Sequence, residues 1–76
     1  PGTAFQNDCR VVEFMYFKAK DAAMIEALEV VRSEDADQVR RYAADINRQF
    51  PAYRMRSYVV YIAAGKVCKT WEIINL

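Results

Sequence analysis

The chain has 76 residues, 54% of them apolar and 28% charged, with a net charge of +1 and no histidine. Those totals describe one small domain with a core, and they exclude a collagen-like or disordered chain. They also remove the commonest general base and metal ligand, and no apolar run reaches the 18 or more residues that would span a bilayer.

The charge is unevenly placed. Residues 21–49 carry four arginines against seven acids, whereas residues 50–76 carry four cations against Glu72 alone. An acidic helical layer facing a basic sheet is the simplest reading. A chain of this length buries only about 60% of the surface its unfolded form exposes, so a staple or a partner is expected. Cys9 and Cys68 are the only cysteines. Two are too few for a disulfide scaffold, and both read as free thiols, which points to the cytoplasm.

Residues 1–8 read as a leader with Phe5 as its anchor. Residues 9–19, CRVVEFMYFKA, are rich in β-branched and aromatic types and read as a strand. Cys9, Val11, Glu13, Met15 and Phe17 share one face; Arg10, Val12, Phe14, Tyr16 and Lys18 share the other. Both faces are apolar at their centres.

Residues 21–32, DAAMIEALEVVR, suit either a helix capped by Asp21 or a second strand around Val30 and Val31. Residues 35–49 read as a helix. Asp35 and Gln38 have capping-box spacing, and Ala36, Val39, Tyr42, Ala43 and Ile46 form an apolar stripe that Phe50 closes. Pro51 ends it, because the residue before a proline leaves the α region.

Residues 53–63 and 66–75 read as a hairpin about Ala64-Gly65. A two-residue loop pairs Ile62 with Val67, Val60 with Lys69 and Tyr58 with Trp71 on one face. The other face holds Tyr61 with Cys68, Val59 with Thr70 and Met55 with Ile74. The expected fold class is therefore α+β: an antiparallel sheet of three or four strands, packed by one or two helices and ending in a β-hairpin, in a single domain over residues 1–76.

The hairpin is apolar on both sides, and one short helical layer shelters only one of them. The remaining side is expected to meet another chain, through self-association as a homodimer or with a different protein. The residues assigned to that contact are Met55, Val59, Tyr61 and Ile74, with Arg54 and Arg56 orienting the partner. An alternative is a nucleic-acid surface made of Tyr58, Tyr61 and Trp71 beside Arg54, Arg56 and Lys69, since aromatic faces among cations stack on bases.

Catalysis finds no support in the motifs. No base accompanies a nucleophile, no glycine-rich phosphate loop surrounds Gly65-Lys66, and no metal-ligand spacing occurs. The expectation is a non-catalytic regulatory module with no cofactor, no metal, no small-molecule substrate and no membrane segment.

Overall fold

A computed structural model describes residues 8–74. The leader expected over residues 1–8 falls outside that range except for Asp8, which already belongs to the first strand. The elements in chain order are β1 (Asp8–Phe17), a 3-10 turn (Ala19–Asp21), α1 (Ala22–Glu26), α2 (Ser33–Gln49), β2 (Arg54–Ala63) and β3 (Lys66–Ile73). The three strands form one sheet in the order β1-β2-β3.

The sheet is mixed, which corrects the expectation of a purely antiparallel one. β2 pairs with β3 antiparallel, as a hairpin must, but β1 runs parallel to β2 from Asp8↔Arg54 to Phe17↔Ala63. A tight turn can join only antiparallel neighbours, and parallel ones need a crossover of a dozen or more residues. The segment between β1 and β2 is such a crossover, and it carries both helices.

Residues 21–32 form neither a full helix nor a strand. α1 closes after five residues, and 27–32 is irregular chain leading into α2. Helix propensity is thus realised only where Ile25, 1% exposed, reaches the core. α2 begins at Ser33, with Arg32 as an extended N-cap that gives no side-chain cap. Asp35 is therefore inside the first turn rather than at the cap. Glu34 and Asp35 there complement the positive helix end. At the other end Phe50 has φ −132° and ψ 68°, outside the helical region, just before Pro51.

α2 buries Ala36, Val39 and Ala43. Tyr42 and Phe50, expected in the same stripe, are exposed, and Phe50 instead stacks at a tilt on Tyr53 with ring centroids 5.3 Å apart. The core joins Ile25, Ala36 and Val39 to Val59, Tyr61 and Ile73, with Val11, Met15, Phe17, Leu28, Val31, Cys68 and Trp71 packed around it. Both helices therefore lie on one side of the sheet.

The hairpin turn is two residues long, with φ 55° at Ala64 and 72° at Gly65. Positive φ at both central positions is the type I′ pattern that matches strand twist. Pairing opens as expected at Ile62↔Val67, then shifts by one residue between Tyr61 and Ile62, giving Tyr61↔Lys69, Val59↔Trp71 and Ser57↔Ile73. A β-bulge of this kind inserts one residue and flips the faces of all that follows. Trp71 and Ile73 consequently join the core side, and Thr70 and Glu72 go to the other.

Candidate functional site

The side of the sheet away from the helices is bare and apolar. On β1 it presents Arg10, Val12, Phe14 and Tyr16; on β2, Arg56, Tyr58, Val60 and Ile62; on β3, Val67, Thr70 and Glu72. The pairing sets these in rows across the strands: Arg10 beside Arg56, Val12–Tyr58–Glu72, Phe14–Val60–Thr70 and Tyr16–Ile62–Val67. Phe14 is 52% exposed, Tyr16 75%, Val67 64% and Val12 39%. Along the central strand Val60 is buried by its neighbours, and Tyr58 and Ile62 on either side of it are half-buried.

Polarity divides this surface along its length. One end is cationic, with Arg10 and Arg56 side by side. Arg56 is held by a forked pair of bonds to Glu72, Nε to Oε2 at 3.3 Å and Nη2 to Oε1 at 3.2 Å. That contact raises the Arg56 pKa further and aligns the guanidinium along the hairpin. Arg10 has no ion-pair partner among the described residues. The row at the other end, Tyr16, Ile62 and Val67, is uncharged, with Lys18 following just beyond β1.

Beneath the helices lies a polar cluster that the sequence pattern does not display. Asp35, 4% exposed, accepts hydrogen bonds from the Tyr61 hydroxyl and from Arg32 Nε, the latter at 2.9 Å. The Tyr61 oxygen in turn accepts from the Arg32 backbone N–H at 3.2 Å. Phe17 and Trp71 meet the Tyr61 ring edge-on, each with centroids 5.0 Å away, and the Arg32 guanidinium lies 5.0 Å from the Phe17 ring centroid. Burial, reinforced by the bond to Asp35, pushes the Tyr61 hydroxyl above its ordinary pKa. Every group in the cluster has a partner inside the protein, so it latches the start of α2 to the central strand.

The residues assigned to partner contact from sequence separate onto different surfaces. Met55, Val59 and Tyr61 sit on the helix-covered side, and the last two are 0% exposed. Those three side chains lie on the same side of β2 as the helices, and the uncovered side of the same strand belongs to Tyr58, Val60 and Ile62. Ile74, Arg54 and Arg56 are exposed. The alternative nucleic-acid set is divided as well. Tyr58 and Arg56 are on the open side, but Tyr61 and Trp71 pack into the core, and Lys69 is paired with Tyr61 on the covered side. No single face collects that set.

On β1 the apolar residues of the uncovered side that lie outside the sequence-assigned sets are Val12, Phe14 and Tyr16. Their alternation along β1 was visible, but nothing in the chain said that β1 would lie beside β2 and extend its apolar surface. Among the described residues no group of three or more Cys, Asp or Glu side chains could hold a metal ion. No helix among them is long and apolar enough to cross a membrane. Cys9 and Cys68 are both free, on the two outer strands.

Comparison of the chain with protein-family models, curated proteins and solved structures found no match.

Proposed function

We propose that the protein is a small non-catalytic interaction module that works by burying the open side of its sheet, and that it associates with itself as a homodimer through that surface. The observation that carries this reading is the exposed run of Val12, Phe14 and Tyr16 on β1 and Val67 on β3, flanking the half-buried Tyr58 and Ile62 of β2. A strand exposed to water on one side alternates apolar with polar residues, and β1 and β2 do not. A contiguous apolar surface on a small protein marks a place where another chain lies.

Its size fits that role. Those side chains expose on the order of 500 Å², since an aromatic ring alone offers roughly 150–250 Å² when fully bared. Two copies face to face bury about twice that, which reaches the roughly 1,000 Å² lower bound for a specific interface. At about 25 cal/mol per Å² the gross gain is on the order of 25 kcal/mol, most of which is offset by the freedom lost on association and by side-chain ordering, so the expected dimer is reversible.

Sedimentation velocity over a range of concentrations tests the reading. The natural chain should shift from monomer to dimer, and Phe14→Glu should remain monomeric while keeping its circular dichroism spectrum. A chain that stays monomeric up to millimolar concentration overturns self-association. If that monomer also retards a labelled single-stranded oligonucleotide in a salt-dependent way, Arg10 and Arg56 serve phosphates instead.

A further inference from the structure

We infer that two copies stack their open sheet sides head to tail, each strand over its own counterpart running the opposite way, so that Arg10 of one copy lies over the ring of Tyr16 of the other. The inference rests on the self-association proposed above and adds its orientation and the residues that fix it.

Two sheets packed face to face by a two-fold axis, with strands aligned, have two arrangements. In one the axis runs along the strands. Each row then meets its own row, and β1 meets β3 of the second copy. Arg56 is then set against Arg56, which opposes like charges across the axis, and Arg10 finds no aromatic ring. In the other the axis crosses the strands. β1 then covers β1, β2 covers β2, and the row order reverses.

The second arrangement sets the arginine row against an uncharged row and apolar rows against each other. The row of Arg10 and Arg56 meets the row of Tyr16 and Ile62, and Val12 and Tyr58 meet Phe14 and Val60. Asp8 comes toward Lys18, opposite in charge and likewise exposed. Arg10, which has no ion-pair partner among the described residues, gains the face of an aromatic ring that is 75% exposed in the single chain. A guanidinium over a tyrosine ring is attractive and keeps its outer nitrogens in water at the rim. The forked Arg56–Glu72 contact, already satisfied within one chain, enters beside Ile62 with its charge compensated.

Charge substitutions at residue 16 read the orientation, because this side chain stands at the exposed end of β1 and supports no core contact. In the head-to-tail dimer Tyr16→Glu faces Arg10 of the second copy and should leave the dissociation constant within about threefold of the natural chain. Tyr16→Lys faces the same arginine and should weaken the dimer roughly tenfold or more. Combining Tyr16→Lys with Arg10→Glu restores the attraction, so the double variant should recover most of the loss.

Equal weakening by Glu and Lys, with no recovery in the double variant, overturns the orientation while leaving self-association standing. In the rejected arrangement residue 16 lies over Val67, where either charge is buried at similar cost. A natural chain that never dimerises overturns both the orientation and the reading beneath it.

Discussion

Tyr61 of the central strand donates its hydroxyl hydrogen to the carboxylate of Asp35 in the first turn of α2, across 26 residues of chain. The bond joins the innermost strand to the helix that covers it, in a place where neither group has water to replace the other. It is the polar centre of a core whose other buried polar side chain among the described residues is Ser57.

Removing one partner leaves the other stranded. Tyr61→Phe keeps the ring contacts with Phe17 and Trp71 but takes one donor from the buried carboxylate, and should cost about 1–3 kcal/mol of stability. Urea denaturation followed by circular dichroism measures it. A loss below about 0.5 kcal/mol would mean that Arg32 alone satisfies Asp35.

The same pair sets an alkaline limit. Burial and the bond to Asp35 raise the Tyr61 pKa above its ordinary value of 10.0. A folded-state pKa above the unfolded one favours the protonated native form. The contribution is fully present below pH 10.0 and is lost as pH rises through the higher folded value. The stability difference between the natural chain and Tyr61→Phe should hold steady up to that pH and shrink beyond it. A difference that widens above pH 10.0 would reverse the sign of this account.

Ser57 lies on the covered side of β2, between Val11 of β1 and Ile73 of β3, and its buried hydroxyl has no hydrogen-bond partner among the described residues. A buried hydroxyl left unpaired costs free energy that an alanine does not. Ser57→Ala should therefore be neutral or stabilising by up to about 1 kcal/mol, read from the urea midpoint at unchanged slope. Clear destabilisation would show that the hydroxyl is paired in solution.

At the hairpin turn Ala64 holds φ 55°, where a Cβ is disfavoured and asparagine or glycine is at ease. Ala64→Asn should raise stability by about 0.5–1 kcal/mol without touching either sheet side, since residue 64 is exposed. Thermal unfolding checks it, and an unchanged or lower midpoint would contradict the turn geometry.

The positions of these effects show what the sequence exposed and what it concealed. Gly65 marked the hairpin and Pro51 ended the long helix, because each imposes a backbone conformation by itself. The strands of the hairpin were legible as apolar on both sides. Which side the helices would take was not. Met55, Val59 and Tyr61 are no more apolar than Tyr58, Val60 and Ile62, so alternation offers no preference. A tyrosine hydroxyl argues for an outward position unless a distant acid waits for it, as Asp35 does for Tyr61. The bulge that carries Trp71 and Ile73 to the core side depends on twist across the strand pair, which local pattern does not encode. The parallel partnership of β1 with β2 was hidden for a related reason: it follows from the crossover contributing no strand of its own, and residues 21–32 pointed both ways.

The central claim is that the side of the sheet bearing Phe14 and Tyr16 is covered by a second copy. Its most direct measurement is the solvent accessibility of individual aromatic rings, read by nuclear magnetic resonance with a soluble paramagnetic probe at low and high protein concentration. The Phe14 and Tyr16 rings should be attenuated at low concentration and protected at high concentration, with Tyr42 and Phe50, exposed on the helical side, attenuated in both. Equal attenuation of Phe14 and Tyr16 at every concentration would contradict the claim.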